Sequence, residues 1–122
     1  MYGRPATEVV LTEPGAPIPG SLQIESTARG DAIVLTMKGE LELTSAPVFE
    51  RELRAVEATN PRRLVIDLSG LEFMDSTGLR ALLLARERAQ ADGHELALRR
   101  GPRQVQRVLE LTKTAEAFEF ED

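Results

Sequence analysis

The segment LVIDLSGLEFMDSTGLRALLLARERAQ, Leu64–Gln90, decides the fold class because a strand pattern is followed within a few residues by a helix pattern. Its first five residues, LVIDL, form a nearly continuous apolar run, which is typical of a central parallel strand covered on both faces. From about Ser76 onward the apolar residues recur at helical spacing. This spacing predicts a helix that turns some residues toward a core (Leu79, Leu82, Leu83 and Ala89) and others toward solvent (Arg80 and Arg88).

Upstream of this segment the pattern predicts a β-hairpin and a first helix. SLQIEST (residues 21–27) and AIVLTMKG (residues 32–39) have strand-like sequences, and ARGD between them supplies a turn. After Gly39, hydroxyl residues and a proline precede apolar residues at helical spacing, which predicts a helix over about residues 46–58. Asn60 and Pro61 end this helix.

Downstream of the segment the same two patterns alternate. ADGH ends the second helix, ELALRR predicts a strand, PRQVQRVLELT predicts a third helix, and AFEFED predicts a last edge strand. The resulting order, β-β-α-β-α-β-α-β, predicts an α/β fold. Right-handed crossovers then build a mixed sheet of four to five strands, with an opening hairpin and with helices packed against it.

The first twenty residues differ in composition from the rest of the chain. Residues 1–20 hold four of the seven prolines and show no sustained period, which predicts a flexible Pro-rich leader. Within it, TEVVLTE is compatible with a short added strand. The remaining residues, 21–122, are expected to form one domain, because 122 residues with 42% hydrophobic content fit a single core.

Several classes of protein are excluded by composition. The longest apolar run, Ala81–Ala85, is far too short to span a bilayer, and the N-terminus lacks the order of a secretory signal. The absence of cysteine removes disulfides and thiolate chemistry, and it fits a reducing compartment. We therefore expect a cytoplasmic protein with no membrane partner.

The charge balance argues against direct nucleic-acid binding. A net charge of −5 repels phosphate backbones unless the basic residues cluster on one face. The best cluster is small and is interpreted as the solvated start of a helix. It consists of Arg99, Arg100, Arg103 and Arg107.

Enzymatic chemistry finds little support in the motifs. The chain has no GxxxxGK[ST] or GxGxxG loop, and its single histidine, His94, follows Gly93 at a predicted exposed turn. We expect no metal and no cofactor, because no spacing motif surrounds His94. DSTG is similar to the aspartic protease signature, but Gly78 comes one residue late and a second aspartate is required. An enzyme using Asp75, Ser76 and His94 requires these groups to converge in the fold.

Two interpretations of DSTG, residues 75–78, remain open. Asp75 can cap the helix by accepting hydrogen bonds from the N–H of Thr77 or Gly78, a contribution of about 1 kcal/mol. However, Gly78 weakens the first turn by roughly 0.5–1 kcal/mol relative to alanine, so the missing side chain has another use. It lets another backbone, or the active site of a partner, come close. Ser76 would then lie at the C-terminal edge of the sheet, within reach of a partner.

Three motifs in this order, GELELTSAP, LVIDLSGLEFMDSTGL and RVLELT, resemble the STAS domain of bacterial anti-sigma factor antagonists over about residues 21–120. The resemblance implies a non-enzymatic cytoplasmic module that binds an anti-sigma factor with serine-kinase activity and frees a sigma factor. It also implies that this kinase inactivates the module by phosphorylating the serine after the motif aspartate, here Ser76. The partner-binding residues implied by matching positions are Gly39, Glu40, Glu42, Asp75, Ser76, Thr77 and Gly78.

The chain departs from the family pattern at two of these positions. Glu42 stands where the family often has aspartate, and its extra methylene changes the hydrogen bonding expected in that loop. Thr77 stands where a second serine is frequent, which makes it an alternative phosphate acceptor. A phosphate at a helix N-terminus is tolerated electrostatically, so we expect phosphorylation to abolish binding without unfolding the domain.

An alternative function retains the STAS fold but does not involve regulation by phosphorylation of Ser76. In it, the chain is a STAS scaffold or an accessory subunit of a signalling or transport assembly. In either case a small module of this kind is expected to be a monomer.

Overall fold

The computed structural model of the chain describes residues 6–8 and 21–122. Six strands lie in these residues: β1 (Ala6–Glu8), β2 (Leu22–Arg29), β3 (Ala32–Leu41), β4 (Arg63–Met74), β5 (Glu95–Arg99) and β6 (Glu119–Glu121). Three α-helices connect the later strands: α1 (Ala46–Glu57), α2 (Ser76–Asp92) and α3 (Arg103–Leu111). A single 3-10 turn, Ala115–Ala117, precedes β6.

The strands form one sheet in the order β1-β2-β3-β4-β5-β6. β2 and β3 form the predicted antiparallel hairpin, with Gly30 in the left-handed region at φ 64° in its turn. β3, β4, β5 and β6 are parallel neighbours joined by the three helices. The predicted α/β class is confirmed: residues 21–122 supply five strands of a mixed sheet, and β1 adds a sixth beside β2.

All three helices pack on one face of the sheet. This follows from the strand order, because each parallel crossover moves one strand along in the same direction and turns in the same right-handed sense. One continuous core results, in which Phe49 and Leu53 of α1, Leu82 of α2 and Leu109 of α3 meet the sheet. The sheet residues beneath them alternate along β4, with Leu64, Ile66 and Leu68 fully buried.

β4 is longer than the sequence predicts. The apolar run that predicts the strand ends at Leu68, but the following residues SGLEFM (69–74) continue β4 to Met74. The pairing with β3 persists because the register shifts between Thr36 and Lys38 and again between Gly39 and Glu40. These irregularities re-aim the last strand residues, which bury Leu71 and Met74 in the core and leave Phe73 exposed.

Two side chains, one in α2 and one just after it, are more buried than predicted. Arg88, predicted to point to solvent, lies half-buried between α1 and α2, where Glu57 and Glu50 pair with it. His94, predicted to be exposed, is half-buried directly after Gly93, the left-handed residue that ends α2. Both differences arise from neighbouring elements, which local sequence does not reveal.

The predicted leader lies largely outside the described residues. Of residues 1–20, only Ala6–Glu8 are described, and they pair antiparallel with β2 over Gln23–Glu25. The rest of TEVVLTE and the predicted flexibility of the leader fall on residues that are not described. Within the described ranges, no helix is long and apolar enough to cross a membrane.

Candidate functional site

The predicted site residues lie where two neighbouring parallel strands end. The pairing of β3 with β4 closes at Leu41 and Met74, so the segments that leave these strands start side by side. After Leu41, residues 42–45 form a short loop that leads into α1, and after Met74, Asp75 leads directly into α2. The C-terminal edge of a parallel sheet is the place where open α/β folds present their binding sites.

Asp75 caps α2, as predicted, and also ties the helix to the neighbouring loop. Its Oδ1 accepts a hydrogen bond from the N–H of Gly78 at 3.0 Å. Its Oδ2 accepts from the N–H of Leu43 at 3.3 Å, and its own N–H donates to the carbonyl of Leu41 at 3.2 Å. One carboxylate therefore holds the start of α2 against the loop after β3, a contact between residues 32 positions apart that the sequence does not reveal.

Gly78 is buried against the end of β3. A Cβ atom at this position would lie 2.6 Å from the carbonyl oxygen of Leu41 and 2.9 Å from a side-chain carbon of Met74. The absence of a side chain at Gly78 therefore makes room for the chain's own backbone at Leu41. It allows α2 to pack closely on β3. Because Gly78 is buried, it does not itself form part of the exposed surface at this edge.

The loop after β3 is locked by Ser45, a fully buried residue. The Ser45 hydroxyl donates to the carbonyl of Glu40 at 2.6 Å and accepts from the N–H of Glu42 at 3.0 Å. In addition, Oε1 of Glu42 accepts from the N–H of Thr44 at 2.6 Å and from its hydroxyl at 2.8 Å. The longer side chain of Glu42 thus curls back onto its own loop, which holds Leu43 at the tip.

Gly39 lies at this edge opposite the start of β2, where an added Cβ atom would collide with the carbonyl oxygen of Ser21. It adopts φ 111°, a left-handed value that disfavours any side chain, and the next N–H, that of Glu40, donates to the carbonyl of Ser21 at 2.9 Å. Gly39 therefore allows the end of β3 to lie close to Ser21. The next residue, Glu40, is half-buried.

Ser76 is the first residue of α2, and its side chain is exposed. No hydrogen bond joins its hydroxyl to another of the residues in the described ranges. Thr77, the next residue, is half-buried. Of the two hydroxyls in DSTG, that of Ser76 is thus the more accessible to another protein.

His94 lies at the opposite end of α2 from Ser76. The 17 residues of α2 separate them by roughly 25 Å along the helix axis. His94 Nδ1 lies 3.1 Å from the carbonyl oxygen of Glu95, and within the described ranges its buried Nε2 has no hydrogen-bond partner. The hypothesis of an enzyme built from Asp75, Ser76 and His94 is therefore wrong, because the three groups do not converge.

An apolar groove between α1 and α2 opens beside Ser76. This α1–α2 groove has a volume of about 260 Å³. Its lining residues are Leu43, Ala46, Pro47, Glu50, Thr77, Arg80, Ala81 and Leu84. Leu43, at the loop tip held by Asp75, is 67% exposed, so a large apolar side chain faces solvent at the edge of the groove. Periodicity did not predict this groove, because its walls come from two helices and a loop.

The remaining candidates are accounted for elsewhere in the fold. Arg99 pairs with Glu121 and Asp67, and the guanidinium of Arg100 lies 4.5 Å from the ring centre of Phe120. The predicted arginine cluster is thus partly engaged within the domain. Among the described residues, no group of acidic or histidine side chains is arranged to hold a metal ion.

Comparison with known proteins identifies the class to which this fold and site belong. A model of the STAS domain matches residues 23–122, most of the chain. The chain therefore belongs to the STAS domain family, as the sequence motifs predicted.

Individual relatives narrow the comparison. The anti-sigma-F factor antagonist RsfB of Mycobacterium tuberculosis is 37% identical over 70 residues, which are 57% of this chain and 57% of that protein. The match thus spans just over half the length of that relative. The crystal structure of an anti-sigma factor antagonist from Mycobacterium paratuberculosis is 30% identical, with 86% of this chain and 89% of that chain covered and a TM-score of 0.77.

A third similarity concerns the fold alone. The Bacillus cell fate determinant SpoIIAA in its phosphorylated form is 14% identical. The match covers 81% of this chain and 91% of that chain with a TM-score of 0.63.

Proposed function

We propose that this chain is an anti-sigma factor antagonist that binds an anti-sigma factor and so releases a sigma factor. In this proposal the anti-sigma factor is also a serine kinase, and it ends binding by phosphorylating Ser76. The observation that carries the proposal is the exposed hydroxyl of Ser76 on the first residue of α2, beside the locked loop after β3. The two mycobacterial relatives, both anti-sigma factor antagonists, support the same assignment.

The accessible position of Ser76 suits phosphoryl transfer by another protein. The Ser76 Oγ attacks the γ-phosphorus of the kinase-bound ATP, the hydroxyl proton passes to a base of the kinase, and ADP leaves. The kinase must supply that base and the nucleotide site, because the described residues near Ser76 offer neither a histidine nor a phosphate-binding loop. The chain thus acts as substrate and binding partner.

The fold should survive the modification. Phosphate adds about −1.5 to −2 charges at pH 7, but it sits at the positive end of the α2 dipole, where backbone N–H groups favour an anion. The hydroxyl that is modified makes no hydrogen bond among the described residues, so no internal contact is lost. Unfolding is therefore not part of the proposed switch.

Binding, by contrast, should be sensitive to the phosphate. The proposed contact surface consists of Glu40, Glu42, Leu43, Ser76 and Thr77, with Gly39, Asp75 and Gly78 fixing its shape. A doubly charged group beside the apolar Leu43 imposes a desolvation cost on any partner that covers this surface. A cytoplasmic, monomeric module without cofactor or nucleic-acid partner fits this proposal.

The test uses the intact chain and the candidate anti-sigma kinases of the genome that encodes it. With ATP, the wild-type chain is expected to gain the mass of one phosphate, and Ser76→Ala is expected to gain none. Ser69→Ala is the matched control, because Ser69 is another exposed serine, located in β4 away from the site. It should be phosphorylated like the wild type.

Binding measurements complete the test. Ser76→Asp should bind the anti-sigma factor at least tenfold more weakly than Ser76→Ala, while circular dichroism of both variants stays the same. Equal binding by the two variants, together with no phosphate gain from any candidate kinase, would contradict the proposal. Partners that co-purify irrespective of phosphate would instead favour the scaffold or accessory-subunit function. Phosphate on Thr77, abolished by Thr77→Val, would move the switch by one residue.

A further inference from the structure

Arg80 occupies a position that relates it both to Ser76 and to the α1–α2 groove. It follows Ser76 by four residues on the same helix, so the two side chains start on the same face of α2, with Cβ atoms about 5–6 Å apart. Arg80 also lines the groove, together with Thr77 and Leu84. The same side chain thus borders the proposed modification site and the apolar groove beside it.

Arg80 is an exposed cation whose charge is not used within the described part of the chain. It forms no ion pair and no hydrogen bond with the other described residues. The nearby cation Arg88, in contrast, is held by Glu57 at 2.9 Å and by Glu50 at 3.1 Å. Since Glu50 is the groove's acidic residue and pairs with Arg88, Arg80 is the groove cation that remains available to an added anion.

We propose that Arg80 couples the state of Ser76 to partner binding. In the unmodified chain it pairs with a carboxylate of the anti-sigma factor, next to an apolar side chain of that partner inserted in the α1–α2 groove. In the modified chain Arg80 pairs with the phosphate on Ser76. This inference rests on the proposed function and names the residue through which the switch acts.

The geometry of the helix favours the intramolecular pair. An anion four residues before a cation is the favourable order on a helix, and the arginine fork can donate two N–H groups to phosphate oxygens. Asp75, next to Ser76, is a carboxylate that accepts hydrogen bonds from Gly78 and Leu43, so it offers the phosphate no donor. Besides the backbone N–H groups at the start of α2, Arg80 is the cationic side chain one turn away that can pair with the phosphate.

The consequence is a competition for one guanidinium. A phosphate held four residues away is present at a high effective concentration, because no second molecule has to be brought in. The partner's carboxylate then finds Arg80 already paired, and it lies close to the negatively charged phosphate on Ser76. Phosphorylation would thus remove an attractive contact as well as add a repulsive one.

The decisive experiment needs no kinase. Phosphoserine is incorporated at position 76 during synthesis of the full chain, and the second ionisation of the phosphate is followed by ³¹P NMR as a function of pH at low salt. Pairing with Arg80 stabilises the dianion, so its pKa should be lower in the otherwise wild-type chain than in the Arg80→Gln variant, by about 0.3 pH unit. The difference should shrink in about 0.5 M salt because the pair is exposed.

Arg107→Gln is the matched control, since Arg107 is also exposed but lies on α3. It should leave the phosphate titration unchanged. Equal titrations of the wild-type and Arg80→Gln chains would overturn the proposed pairing.

A binding measurement separates this inference from the proposed function. Arg80→Gln in the unmodified chain should weaken binding to the anti-sigma factor about two- to fivefold, and Arg107→Gln should not. Undiminished binding by Arg80→Gln would overturn the role of Arg80 toward the partner. If phosphoserine at position 76 leaves binding unchanged, the proposed switch fails, whereas the titration still decides whether Arg80 pairs with the phosphate.

Discussion

The first turn of α2 combines two residues that serve the fold with one exposed serine whose hydroxyl makes no hydrogen bond among the described residues. Asp75 uses both carboxylate oxygens within the domain, and Gly78 provides the space for the end of β3. The Ser76 side chain takes no part in the hydrogen bonds of Asp75 or in the packing of Gly78 against β3. Substitutions within these four consecutive residues should therefore separate effects on stability from effects on the proposed switch.

Gly78→Ala is expected to destabilise the domain although alanine is the better helix former. The added methyl group would lie 2.6 Å from the Leu41 carbonyl oxygen, and this overlap with backbone outweighs the gain of up to about 1 kcal/mol in helix propensity. The net loss in the free energy of unfolding should be about 1–3 kcal/mol, measured by urea denaturation.

Ser76→Ala provides the control in the same turn. It replaces an exposed side chain and should change the free energy of unfolding by less than about 0.5 kcal/mol. Stability of Gly78→Ala equal to that of Ser76→Ala would show that α2 can move away from Leu41 without cost, contrary to the packing described above.

The helices α1 and α2 are linked by a half-buried ion pair. Burial by itself lowers the pKa of Arg88, but hydrogen bonds to Glu57 and Glu50 outweigh it and raise this pKa above its ordinary value. The side chain of Glu57 is only 7% exposed, so loss of Arg88 would leave a buried carboxylate without its partner. The link also fixes the spacing of the two walls of the α1–α2 groove.

Arg88→Ala should lower the free energy of unfolding by about 2 kcal/mol, since a charged hydrogen-bonded pair is broken on one side only. Replacement of Arg88 and the buried Glu57 by apolar side chains of similar size, Arg88→Met with Glu57→Met, should recover a large part of this loss. Arg51→Ala, at an exposed position of α1, is the control. If Arg88→Ala costs no more than Arg51→Ala in thermal and urea unfolding, the pair contributes nothing.

At the level of elements, sequence patterns predicted the hairpin and all three helices, because each has a regular apolar period and a clear end signal such as Gly93. They failed where long-range pairing decides the structure. The extension of β4 through Phe73 depends on irregular pairing with β3, and the inward position of Arg88 depends on Glu57, 31 residues earlier. Similarly, the contact of Asp75 with Leu43 joins two loops whose proximity only the sheet order creates.

Across the whole molecule, the two faces of the sheet have different chemistry. One face carries the helices and the apolar core, whereas the other carries a network of ion pairs across β4, β5 and β6. In it, Arg63 pairs with Glu95, Glu119 and Glu121, and Arg99 pairs with Asp67 and Glu121. Strand alternation predicts which residues share this face, but the pairing itself requires the order of the strands.

This network predicts an acid-dependent loss of stability. The hydrogen bond from Arg63 is the main cause that lowers the pKa of Glu121; desolvation opposes it, and Arg99 adds to it. When the pH falls below the ordinary value of 4.5, the Glu121 carboxylate is therefore protonated in the unfolded chain before it is protonated in the folded chain. The stabilisation is complete above that pH and is lost as the pH falls through the lower pKa of the folded state.

The measurement compares urea unfolding at pH 7 and pH 3 for the wild type, Glu121→Gln and Glu116→Gln. The wild type should lose more stability on acidification than Glu121→Gln does. Glu116 is exposed and lies outside the network, so its variant should behave like the wild type. Identical acid sensitivity of the wild type and Glu121→Gln would argue against a stabilising role of the Glu121 pairs.

β6 is an edge strand of the sheet, and its two glutamates therefore also affect whether another chain can pair with this edge. β6 is only three residues long, and on its outer side no strand of the described residues follows it. A bare strand border invites another chain to add to it, the first step toward intermolecular aggregation. The brevity of β6 and the carboxylates of Glu119 and Glu121 oppose such growth.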